Sequence, residues 1–157
     1  MRDSDVNRMI EGAEQGIRTN MEKIQHEFRL QKAAEKTIVD ALLAKGEFLD
    51  EDGYPTQDAL TIVELWPYND TEGWFIFINS LWHLKSWGWC EDIIDPQTRL
   101  GYGHVSNPIR EYNLSTAGWS GNEALIRAME ENDMLWHTTW TQSRRGGHYI
   151  FEVELDV

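Results

Sequence analysis

From Ser4 to about Lys45 the chain contains no proline, and its apolar positions fall at Val6, Ile10, Ala13, Ile17, Met21, Ile24 and Phe28. Steps of four, three and four residues repeat, giving two eleven-residue repeats. That period, about 3.67 residues per turn, keeps one stripe on one face of a nearly straight helix. Past Phe28 the pattern moves to Leu30, Ala34, Ile38 and Leu42, which predicts a change of face. Ile38, Leu42 and Leu43 are expected to pack on the rest of the chain. A helix of about 40 residues extends roughly 60 Å, further than a small domain is wide. Its first half cannot all lie on its own domain, so the stripe needs another copy of the same helix. Val6, Ile10, Ile17, Met21, Ile24 and Phe28 are therefore the expected oligomerisation residues. The alternative is a helix that folds back at Gly12 or Gly16.

The polar turn around Asp50, Glu51, Asp52 and Gly53 ends this arm. Thr56 is placed to cap a short helix from Gln57 to about Trp66, and Pro67 breaks it. A second helix, roughly Glu72 to Leu84, carries Trp74, Phe75, Phe77, Ile78, Leu81 and Trp82. It is apolar around most of its circumference and should be the buried central helix. The alternation from Trp87 predicts a strand to about Ile94, followed by a long loop from Asp95 to Pro108 and a strand from Arg110 to Ser115. Met134, Trp136, Thr138 and Trp140 alternate with Leu135, His137, Thr139 and Thr141. Tyr149, Phe151, Val153 and Leu155 alternate with His148, Ile150, Glu152 and Glu154. This predicts a hairpin with an even-length loop that sets Trp140 opposite Phe151, Thr138 opposite Val153 and Trp136 opposite Leu155. The expected fold is α+β: a long N-terminal helix at 1–45, then a small domain at 46–157. That domain has two to three helices and an antiparallel sheet ending in a β-hairpin.

Charge sharpens the division. Residues 1–45 carry eight basic and eight acidic side chains, whereas 46–157 carry six basic and 19 acidic ones, the whole net charge of −13. All eight tryptophans lie between Trp66 and Trp140. So negative a domain repels phosphate backbones, which argues against duplex nucleic acid; the charge suits plain solubility first, and contact with a basic protein surface second. The longest uncharged apolar stretch, Gly73 to Leu84, is well short of the roughly 20 residues of a membrane span. With a polar N-terminus and one cysteine, Cys90, the expectation is a cytoplasmic protein without disulfide or thiolate metal site.

Chemistry-bearing residues gather in two places. Ser120 and Glu123 fit a capping box ahead of a helix from Ala124 to Glu131. Gly118 and Gly121 permit a tight turn and the close approach of a ligand at that helix start. Arg144 and Arg145, with Gly146 and Gly147, form the only clustered positive charge of the domain and suit bidentate grip of an anion. His137, His148, Glu152 and Glu154 share the polar face of the expected hairpin, but the histidines sit near opposite ends, and no metal is assigned. His104, in a Gly-Tyr-Gly-His loop, is placed where a ligand can visit.

The motifs Trp66-Pro67-Tyr68, Gly73-Trp74-Phe75, Trp87-Gly88-Trp89, Ser115 to Glu123 and Arg144 to Phe151 resemble a group of small bacteriophage-encoded proteins, over roughly residues 55–155. The resemblance implies a viral accessory protein in the host cytoplasm and brings no catalytic residue with it. The leading expectation is a non-enzymatic homo-oligomeric binding protein, requiring no cofactor, that holds an anionic, nucleotide-like small molecule of host defence. Trp119 and Trp87 or Trp89 would stack on a ring. Arg144, Arg145 and the helix start at Ser120, Gly121, Asn122 and Glu123 would take the charge, with His148 and His104 nearby. The rival expectations are an acidic inhibitor that imitates nucleic acid to bind a host or phage protein, and a small hydrolase using Glu123 or His148.

Overall fold

The structure is a computed structural model describing residues 2–95 and 107–156. α1 (Asp3–Lys45) is one uninterrupted helix through Gly12 and Gly16, and it ends where the Gly46 N–H donates to the Leu42 carbonyl at 3.2 Å. It does not fold back. Ile10, Ile17, Met21 and Ile24 remain 50–62% exposed, while Val39 is only 2% exposed. The expected change of face does not occur: Leu30 and Ile38 are exposed, and Val39, with half-buried Leu42 and Leu43, meets the domain. Counting on from Phe28, the four-three-four steps reach Lys32, Glu35 and Val39, a third eleven-residue repeat on the same face. Lys32 and Glu35 are half-buried and paired at 2.9 Å, so their charged heads hid a position that their aliphatic stems occupy.

α2 (Gln57–Leu65) begins at Thr56, whose hydroxyl accepts the Ala59 N–H at 3.2 Å. α3 (Thr71–Leu81) is capped by Asp70, which accepts the Gly73 N–H. It stops at Leu81, three residues short of the expected end, and α4 (Lys85–Gly88), a single turn, holds Trp87. β1 (Trp89–Ile94) and β2 (Ile109–Ser115) lie near the expected bounds. α5 (Ser120–Glu131) and α6 (Asp133–Thr139) precede β3 (Trp140–Arg144) and β4 (His148–Glu154). The sheet is antiparallel throughout, in the order β1-β2-β4-β3. Phe75 of α3 stacks on Tyr112 at 3.9 Å and meets Phe151 edge-on at 5.6 Å, which fixes the central helix over the two central strands.

The expected strand at 134–139 is a helix. Asn132 caps it by accepting the Leu135 N–H, and the Thr138 and Thr139 hydroxyls donate back to the Met134 and Leu135 carbonyls. Leu135 and Thr139, four apart, are its buried pair. The pairs Thr138–Val153 and Trp136–Leu155 consequently do not form, nor do His137–Glu154 and Thr139–Glu152. Trp140 does face Phe151. It does so by another route: Arg144 pairs with His148 across a three-residue loop, and the register shifts between Trp140 and Gln142. One extra residue, Thr141, turns the odd loop into the parity that apolar facing demands.

Candidate functional site

The β2–α5 turn shows how the expected ligand residues are used. Ala117 and Gly118 are both left-handed (φ 55° and 69°), and the Trp119 N–H donates to the Thr116 carbonyl at 3.0 Å. α5 starts at Ser120, one turn earlier than expected, with Trp119 as its cap residue. Its carbonyl accepts the Glu123 N–H at 3.1 Å. Ser120 therefore lies inside the first turn, and the capping box is not formed. Trp119 stacks on Tyr54 at 4.7 Å and meets the His83 ring at a tilt at 4.4 Å. Its indole also lies so close to Gly121 that a side chain there would run into the ring. Asn122 is fully buried. Its amide oxygen accepts the His83 N–H at 2.9 Å, and its amide nitrogen donates to the carbonyls of His83 (2.9 Å) and Thr116 (3.4 Å). Asn122 thus pins two turns that each contain a left-handed non-glycine residue, Leu84 and Ala117.

Of the other aromatics, Trp89 packs edge-on against Trp82 at 5.6 Å and donates its indole N–H to Glu91. Trp87 is 71% exposed. The expected stacking residues therefore stand on separate elements. His104 lies outside the described residues, as does most of the expected 95–108 loop.

At the hairpin, Arg144 and Arg145 are exposed, and Arg144 Nε donates to Gln142 at 3.3 Å. Gly147 is left-handed (φ 75°) and lies directly against Thr116; its carbonyl accepts the Thr116 N–H at 2.9 Å. The Thr116 hydroxyl beside it is buried without a hydrogen-bond partner among the described residues. His148 faces Ser115 across the strands, with Ser115 Oγ 3.0 Å from Nδ1 and Asn113 Oδ1 3.3 Å from Nε2. Asn113 donates its amide N–H to Glu111 at 2.8 Å, so its oxygen is the atom left for His148. In neutral His148 the proton then sits on Nε2, and Nδ1 accepts the Ser115 hydroxyl. A histidine so oriented can act as a general base toward Ser115. Sequence reading missed Ser115 and Asn113 here because the contact spans 33 and 35 residues and depends on the β2–β4 pairing. Tyr54, His83 and Thr116 carried no local signal either. His137 is removed from this group: on α6, its Nδ1 meets the Asp133 carbonyl. Among the described residues no three His, Cys, Asp or Glu side chains are grouped to hold a metal ion.

The electrostatics of the clefts favour cations. One of about 560 Å³ is walled by Asp70, Glu72, Glu154 and Asp156 around Arg110 and Tyr112. Burial pushes the Tyr112 phenol up, and Glu91 and Glu72 add to the effect while Arg110 opposes it. Another, of about 340 Å³, lies between α5 and the hairpin and holds Glu123 and Glu130 with Arg127, Thr116, Gly147 and Tyr149. Glu64 is raised by burial and then by the Glu131 carboxylate. Across the sheet, Asp92, Glu111 and Glu152 form a row on neighbouring strands. Among the described residues no helix is long and apolar enough to cross a membrane. Compared with protein families, with curated proteins and with solved structures, the chain matches none.

Proposed function

We propose that the protein is a non-catalytic binding protein that works as a self-associated assembly, in which α1 joins copies and the acidic domain engages a basic protein surface. The observation that carries this reading is the apolar stripe of α1. Val6, Ile10, Ile17, Met21, Ile24 and Phe28 are exposed along one face of a helix that, among the described residues, its own domain meets only from Phe28 onward. So much contiguous apolar surface is what association covers. The acidic domain supplies the second half: with six basic and 19 acidic side chains over 46–157, its field is complemented by a basic partner surface. That partner is proposed to be a host or phage protein, as the resemblance to phage-encoded proteins would imply.

The anionic-ligand reading gains less support. Trp119 and Asn122 are engaged within the fold, and neither the two arginines nor Trp87, Trp89 and Trp119 line the clefts described above. The hydrolase reading is favoured by one observation, the Ser115–His148 contact. The test is to purify the protein from its native cell and identify what leaves it on denaturation. A basic protein whose affinity falls steeply between low and moderate salt supports the proposal. A released nucleotide, or an ester-hydrolysing activity lost in His148→Ala, would replace it.

A further inference from the structure

The face of α1 that carries the stripe is one continuous surface put to two uses. Its third eleven-residue repeat, Phe28, Lys32, Glu35 and Val39, lies against the chain's own domain. Val39 is buried, and Phe28 stands 6.0 Å from the Tyr68 ring. Lys32 and Glu35 line a cleft with Leu65, Pro67 and Tyr68. The first two repeats, Val6 to Phe28, are the exposed remainder of that face. Resting on the self-association proposed above, we infer that the occupant of this remainder is the same segment of a second copy running antiparallel, with the two-fold axis beside Ile17.

Two observations select that arrangement. The first is room. A parallel copy in register would continue along the face past Phe28, into the volume held by Leu65, Pro67 and Tyr68, or would have to splay away there. An antiparallel copy ends where the domain begins, its Asp3 falling opposite residue 31. The second is the spacing itself. The steps from Val6 to Phe28 are four, three, four, four, three and four, which read the same in reverse. About Ile17, Val6 therefore meets Phe28 of the second copy, Ile10 meets Ile24, and the smallest stripe residue, Ala13, meets the long and adaptable Met21. Every apolar position finds an apolar one. Glu14 and Arg18 line a groove beside Ile17 and Met21 on one flank. A perpendicular two-fold axis brings like flanks together, so Glu14 of each copy faces Arg18 of the other. Each domain then sits at the far end of the other's helix.

Cysteine pairing tests the arrangement. In a Cys90→Ser background, Ile10→Cys and Ile24→Cys chains are prepared separately, mixed under reduction and oxidised, with sedimentation under reduction reporting whether they associate. Antiparallel pairing predicts that the 10–24 heterodisulfide dominates. Identical positions lie roughly 21 Å apart along the axis, too far for the 4.4–6.8 Å Cα separation of a disulfide. Spin labels on the opposite face give a second reading. Labels at Arg8→Cys should be separated by about 27 Å along the axis and those at Thr19→Cys by about 6 Å, whereas a parallel pair gives equal separations. Homodisulfides, equal label separations, or an associated protein yielding neither disulfide would overturn the antiparallel inference and leave self-association standing. A protein that is monomeric at every concentration would overturn both.

Discussion

The two ends of α1 present one helical face to two different surroundings. Around Val39 that face is sealed by α2 and the core; around Ile17 it stands in solvent, although both stretches follow the same eleven-residue rhythm. Periodicity therefore fixed which side chains are apolar together, and chain geometry decided which of them the chain can cover by itself. The covered end belongs to folding. The uncovered end is the one proposed to serve association, and substitutions should separate the two.

The largest loss is expected in the domain. Phe75→Ala removes the ring that joins α3 to Tyr112 and Phe151, and should destabilise by about 3–5 kcal/mol in urea unfolding. Asn122→Ala leaves the His83 N–H and C=O without the amide that satisfies them, at a cost of about 2–4 kcal/mol. An equal loss of affinity for a small molecule, with stability unchanged, would instead return Asn122 to a ligand role. Val39→Ala should cost about 1.5–3 kcal/mol. Ile17→Ala, on the same face, should leave unfolding of the dilute subunit within about 0.5 kcal/mol of the parent. If the two cost the same at high dilution, the division of the helix is wrong.

The smallest effect is electrostatic. Glu64 is raised from its ordinary value of 4.5, so the folded chain holds its proton to higher pH than the unfolded chain does. Stability from this group is thus full below the ordinary value and falls as pH rises through the folded one. Glu64→Gln should be more stable than the parent at pH 7 by up to about 0.5 kcal/mol, and no more stable at pH 3, in paired urea melts.

Much of this architecture was legible in the sequence because its signals are local. Thr56 caps the helix it was expected to cap, Trp74, Phe75, Phe77, Ile78, Leu81 and Trp82 are buried as their density implies, and Trp140 faces Phe151. The failures came where two local signals competed. Residues 134, 136, 138 and 140 follow a strand period, but the Asn132 cap and the buried pair Leu135 and Thr139, four apart, make 133–139 a helix. Lys32 and Glu35 read as polar although their stems continue the stripe. The site residues were least legible. Trp119 finds Tyr54 and His83, and His148 finds Ser115, only after elements distant in the chain have packed, and no spacing rule anticipates such contacts.

Sedimentation equilibrium of the whole chain over a wide concentration range, compared with an Ile17→Asp/Ile24→Asp double variant, reads out whether the exposed stripe of α1 joins copies. The parent should show an oligomeric mass and the variant a single-subunit mass, with the same unfolding midpoint for both at the highest dilution. A parent that stays at the mass of one chain throughout, or a variant that keeps the parent's mass, would contradict association through this stripe.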